Sequence, residues 1–166
     1  MHDAQLGPTP SLPGPACPPQ VAVCGFYLAI RPGGFVLHMS ASREHMRQMR
    51  AHVFAAVAGA GADEQVADAA RLVASELVGN AVRLCGPWTP VVVQIVSKPD
   101  QVQVQVHDPE PSALPDRTAE PPDNDGLESG RGLWILDCLA PGWTVEPTAV
   151  GKQITATLPC GEFAAA

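Results

Sequence analysis

Glu76 and Asn80 stand four residues apart in the segment S-E-L-V-G-N-A-V, residues 75–82. Four residues make about one helical turn, so in a helix both side chains point to the same place. A carboxylate beside an amide oxygen suits a hard cation such as Mg²⁺ held together with a phosphate. The carboxylate can also orient or deprotonate an attacking hydroxyl or water. The polar margin of an ordinary amphipathic helix has the same spacing, so the pattern alone leaves both readings open. A second carboxylate, Asp108, follows the run Q-V-Q-V-Q-V-H at 101–107. There it can accept a hydrogen bond from a ligand's amino group, such as an adenine N6. Asp before Pro is also a common way to end a strand. Gly130-Arg131-Gly132 precedes the apolar run L-W-I-L. Close-approach glycines at a helix N-terminus make an anion site, and an arginine there adds charge-assisted contacts to a phosphate. A plain glycine turn before a core helix fits the same residues.

These residues need elements to carry them. The helix that holds Glu76 and Asn80 is predicted from Asp63 to about Cys85, with Val66, Ala70, Val73, Leu77 and Leu84 as its apolar stripe and Gly86-Pro87 as its stop. On an ideal wheel centred on Val73, Leu77 and Leu84, Asn80 lies roughly 40° and Glu76 roughly 80° from the centre of that stripe. Asn80 is therefore expected to be at least partly buried, with Glu76 at the edge. An earlier helix is predicted over about 43–58, capped by Ser40 or Ser42, with Met46, Met49, Val53, Phe54 and Val57 on one side and Gly59 and Gly61 at its end. Strands are predicted at 34–39, 91–97, 101–107 and 151–159, the middle two joined as a hairpin by K-P-D at 98–100. Alternation of Val and Gln in the second of these buries one face and leaves the other wet. Strands separated by helices, with a hairpin between them, imply a two-layer α/β sandwich with a mixed sheet.

Composition sets the bounds. The chain of 166 residues suits one domain with tails, and 46% hydrophobic content can fill its core. Residues 1–20 hold six prolines and read as a flexible tail. Residues 21–33 read as an N-terminal arm or strand, 34–159 as the domain, and 160–166 as a second tail. The segment 109–129, with five prolines and six acidic residues, reads as a long loop of the functional or disordered kind. A net charge of −7 makes direct binding to a nucleic-acid backbone a poor fit. Five cysteines with no C-x-x-C pair argue against a zinc site and for free thiols. There is no basic start followed by an apolar run, and no stretch near the roughly 20 apolar residues of a spanning helix, so a soluble cytoplasmic protein is expected.

Helix Glu/Asn, strand-end Asp, long loop, G-x-G helix and terminal strand come in one order between residues 76 and 159. In that order the chain resembles the ATP-binding domain shared by histidine kinases, DNA gyrase, mismatch-repair ATPases and one class of heat-shock chaperones, the GHKL superfamily. Within it the chain is most similar to single-domain anti-sigma factors that act as serine-protein kinases, especially their actinobacterial relatives. The resemblance covers roughly residues 34–159, and S-E-L-V-G-N-A-V and S-G-R-G-L-W-I-L-D are its most specific parts. It implies ATP and Mg²⁺ as cofactors. It implies that Asn80 holds the metal that bridges the phosphates, that Glu76 is the base for a seryl hydroxyl, and that Asp108 reads adenine. Residues 109–129 would be the lid over ATP, with Gly130, Arg131 and Gly132 at the phosphates. The implied partner is a small anti-anti-sigma factor of the STAS type, or a sigma factor, and a homodimer is compatible with such relatives. Two motifs depart from the family's pattern. Its first glycine box, D-x-G-x-G, is here Asp108-Pro109-Glu110-Pro111-Ser112, and its terminal Gly-Thr is here Gly151-Lys152. Lys152 is thereby a candidate phosphate contact. A protein-binding module on the same fold is the alternative function.

Overall fold

A computed structural model describes residues 20–112 and 131–161. Seven strands and three helices follow one another in the order β1 (Gln20–Val23), β2 (Phe26–Arg31), β3 (Gly34–Ser40), α1 (Arg43–Gly59), α2 (Glu64–Cys85), β4 (Pro90–Ser97), β5 (Gln101–Asp108), α3 (Arg131–Leu139), β6 (Thr144–Thr148) and β7 (Gly151–Pro159). The strands form one sheet in the order β1-β2-β3-β4-β5-β7-β6. Readings of residues 1–19, 113–130 and 162–166 lie outside the described residues.

The two helices between β3 and β4 explain why those strands pair antiparallel. α1 carries the chain away from the end of β3 and α2 brings it back, so Pro90 enters the sheet directly opposite Ser40. Ser42 starts α1: its side chain accepts the His45 N–H at 3.1 Å, satisfying one of the helix's orphan donors. Ser42→Ala is expected to cost about 1 kcal/mol, read as a lower thermal midpoint. Asp63 caps α2 in the same way through the Gln65 N–H.

Among the described residues every pair of neighbouring strands is antiparallel, where a mixed sheet was expected. The two-layer sandwich itself is as expected. A helical crossover does lead from β5 through α3 to β6, and β6 does run parallel to β5, since both are antiparallel to β7. The β6–β7 hairpin then turns β7 back between them, so the parallel strands never touch. Residues 21–33 form a hairpin rather than one arm: β1 and β2 meet through a turn at Gly25, whose φ of 70° suits glycine. β6 is a further strand that the sequence pattern did not single out.

The core lies between the sheet and the helices. Phe35, Leu37 and Met39 of β3, Val91, Val93 and Ile95 of β4, and Val102, Val104 and Val106 of β5 all point inward. Met49, Val53 and Val57 of α1 meet them. α2 is buried on a broad face, since α1, α3 and the sheet all pack against it, and small residues such as Ala67, Ala70, Ala74 and Ala81 permit that closeness. Leu84 does not belong to this face. It is 52% exposed, because Arg83, Leu84 and Cys85 form an end of α2 that runs past the elements covering the rest of it.

Candidate functional site

The candidate residues lie on α2 and on β5 and β7, the strands that α2 packs against. Glu76 and Asn80 lie one turn apart on α2 and both are half-buried, in keeping with the partly buried Asn80 and the edge position of Glu76 that the wheel gives. Among the described residues, the Glu76 carboxylate makes no hydrogen bond or ion pair. A half-buried carboxylate without a partner is costly unless a ligand or solvent completes it. Asn80 is already engaged: Arg83, one turn further along α2, donates to its Oδ1. Spacing in the sequence allowed Arg83 to be found, since i and i+3 are neighbours on a helix.

Asp108 continues the inward parity of Val102, Val104 and Val106. The alternation that buries valines therefore buries a carboxylate, and only 2% of Asp108 is exposed. Directly opposite in the register stands Lys152, on the inward parity of Ile154, Ala156 and Leu158. Its exposure is 1%. Lys152 Nζ donates to Asp108 Oδ1 at 2.9 Å and to the Glu110 carbonyl at 2.6 Å. The Glu110 N–H donates to the same Asp108 Oδ1 at 2.9 Å. So Lys152, expected to approach a phosphate, is committed to Asp108 and to the first residues of the loop that follows it. A cation holds the Asp108-Pro109-Glu110 turn in place of the glycines the family's pattern has there. Gly151 is required beside it: its φ is 144°, and a Cβ there would lie 1.9 Å from the Asp108 carbonyl oxygen.

Cys85 reports the field of this corner. It is exposed, and its thiol is held above the ordinary value, first by the part of the sulfur turned to protein, then by the charges of Asp108 and Glu110, with Lys152 opposing them. The end of α2 thus shares its electrostatic surroundings with residues 108–110 and 152.

α3 begins at Arg131, so Arg131 and Gly132 occupy its first turn, while Gly130 lies outside the described residues. α3 packs on α2, and it is tied to the start of β6 by the Trp143 Nε1–H, which donates to Asp137 Oδ1 at 2.7 Å. Asp137, the last residue of the S-G-R-G-L-W-I-L-D segment, therefore has a structural role. The structure brings Asp108 and Lys152 into contact, on strands that pack against the helix carrying Glu76 and Asn80. Arg83 and Glu110 are the residues that sequence reasoning missed as their partners. Glu110 acts through its backbone carbonyl, which no sequence pattern announces.

The donor set fits a magnesium-bound nucleoside phosphate. Glu76 supplies an unpartnered carboxylate, Asn80 an amide oxygen that Arg83 can release, and Asp108 a buried carboxylate with Oδ2 unengaged among the described residues. No group of three or more His, Cys, Asp or Glu side chains is positioned to hold a metal ion by itself among the described residues. A cation here would need a ligand's phosphates to complete its shell, as Mg²⁺ commonly does. No described helix is long and apolar enough to cross a membrane. The four described cysteines, Cys24, Cys85, Cys138 and Cys160, are free.

A family model described as a histidine kinase-like ATPase domain matches residues 39–158, from the end of β3 almost to the end of β7. No curated protein matches the chain.

Proposed function

Because this chain belongs to the family of histidine kinase-like ATPase domains, we propose that it is a cytoplasmic anti-sigma-factor-like regulator that binds Mg-ATP and phosphorylates a serine of a STAS-type anti-anti-sigma partner, or sequesters a sigma factor. The observation that carries the reading is the half-buried Glu76 carboxylate, without a partner among the described residues and one turn from Asn80. In this reading Asn80 holds the magnesium ion, which when bound neutralises charge on the phosphates. Asp108 accepts a hydrogen bond from the base, and Gly130, Arg131 and Gly132 face the phosphates. Glu76 takes the proton from the seryl hydroxyl as its oxygen bonds to the terminal phosphorus and ADP leaves. The chemistry is then mostly positioning and charge stabilisation.

Titration of the full chain with Mg-ATP by calorimetry tests this. Saturable binding is expected, weakened at least about tenfold in Asn80→Ala, the scale of one lost metal contact. Equal affinity in the variant would remove Asn80 from the metal.

One observation favours a second reading, a protein-binding module without catalysis. Asp108 Oδ1 is already paired with Lys152 and Asn80 Oδ1 with Arg83, so each side chain has a partner within the protein. No heat with millimolar Mg-ATP would decide for that module.

A further inference from the structure

The three helices lie on one side of the sheet, since α1 and α3 both pack on α2. No element among the described residues covers the other side. Tyr27, His38, Val92 and His107 stand opposite one another in a row across β2, β3, β4 and β5. Each is next in sequence to an inward residue, Phe26, Met39, Val91 or Val106, so the row faces away from the helices. A mainly apolar groove of about 540 Å³ opens along it, with Val150, 72% exposed, at its rim. The Tyr27 and His38 rings lie 6.2 Å apart in it, tilted by 59°. Among the described residues the Tyr27 hydroxyl and the His38 ring make no hydrogen bond, and His107 uses only Nε2, against Thr148 Oγ1 at 2.8 Å.

Aromatic faces with spare donors suit a polyproline segment, which makes no internal hydrogen bonds, presents free carbonyls and packs its rings on aromatic side chains. The residues that lead into β1 have that composition. They read P-T-P-S-L-P-G-P-A-C-P-P at 8–19, with P-x-x-P twice, at Pro10–Pro13 and at Pro15–Pro18. We propose that this segment docks back on the open face of its own sheet. Pro15 and Pro18 lie over Tyr27 and His38, and Pro10 and Pro13 over Val92 and His107. The reach allows it. His107 is four strands from β1, about 19 Å at the usual strand spacing. Residues 13–19 in polyproline form span about 22 Å. The Tyr27 hydroxyl and the imidazoles donate to the segment's carbonyls. Prolines lack the N–H that would compete for a sheet edge, so the contact is to the face and not to the ladder. Tethering holds the segment at an effective concentration of about millimolar, so a modest contact suffices to keep the groove covered. The docking is independent of the nucleotide reading above, because the groove lies on the side of the sheet away from α2.

Nuclear magnetic resonance on the full chain tests the proposal, and Tyr27 is a clean reporter because the chain has one tyrosine. Nuclear Overhauser contacts are expected from the Tyr27 ring protons to Pro15 and Pro18, and from the His107 ring to Pro10 and Pro13. Changing Pro10, Pro13, Pro15 and Pro18 together to alanine leaves the described residues untouched. It is expected to abolish those contacts and shift the Tyr27 ring signals, while any contacts to Pro90 and Pro109, which line the groove themselves, persist. Absence of the contacts in the native chain would overturn the docking. So would contacts that appear only between differently labelled chains in a mixed sample, which would put the segment of a second copy in the groove.

Discussion

Replacing Lys152 with alanine is expected to destabilise the protein by about 3–5 kcal/mol, the cost of leaving one charge of a buried pair without its partner. The environment makes the penalty large. Lys152 and Asp108 are 1% and 2% exposed, on facing positions of two interior strands, so water cannot screen the carboxylate that remains. The substitution also removes the proton that holds the Glu110 carbonyl, and with it the turn leaving β5. Urea denaturation followed by far-ultraviolet circular dichroism would read the change as a lower midpoint at an unchanged slope. The double variant Asp108→Leu/Lys152→Met is expected to recover most of the loss, since an apolar pair of similar volume has no desolvation to offset. If Lys152→Ala unfolds at the native midpoint, the ion pair does not tie β5 to β7. The exposed pairs Arg47–Glu44 and Arg71–Asp68 differ in kind. Water screens them, and their loss is expected to be hardly measurable.

Phosphoryl transfer to a partner serine is expected to fall about 10²–10⁴-fold in Glu76→Ala, the range for removing a positioned general base. Mg-ATP affinity is expected to change little, because the proposed metal and base contacts belong to Asn80 and Asp108. Glu76→Gln is the sharper variant. It keeps the shape of the side chain and its place on α2 while losing the capacity to take a proton. Single-turnover transfer from radiolabelled ATP to the partner, beside calorimetry on the same samples, separates chemistry from binding. Native transfer rates in Glu76→Gln would show that the hydroxyl needs no carboxylate there and would move the proton's destination elsewhere.

Much of this protein was legible in its sequence, because the legible features are local. Helical spacing set Glu76 and Asn80 one turn apart and placed Met49, Val53 and Val57 on the buried side of α1. Ser42 and Asp63 announced the helix starts, and Gly86 the end of α2. The period of two in β5 settled which face Asp108 shares with Val102, Val104 and Val106. The same period in β7 put Lys152 with Ile154, Ala156 and Leu158. Both charges could thus be read as inward-facing from the sequence alone.

That they meet could not. Asp108 and Lys152 are 44 residues apart in the chain, and they pair only because β7 returns between β5 and β6. Strand order and register depend on how the helices cover the sheet and where each connection re-enters it, which no short window of sequence contains. The wheel that kept Leu84 on the apolar stripe failed for the same reason: periodicity sets the face of a helix, whereas burial depends on whether another element reaches that turn. The sequence by itself determined the three helices, the strands β3, β4, β5 and β7 and the one-turn spacing of Glu76 and Asn80, while β6 escaped it. Only the tertiary structure decided that the Asp108 carboxylate would share its place with a lysine, because a contact between distant strands is a property of the packed sheet.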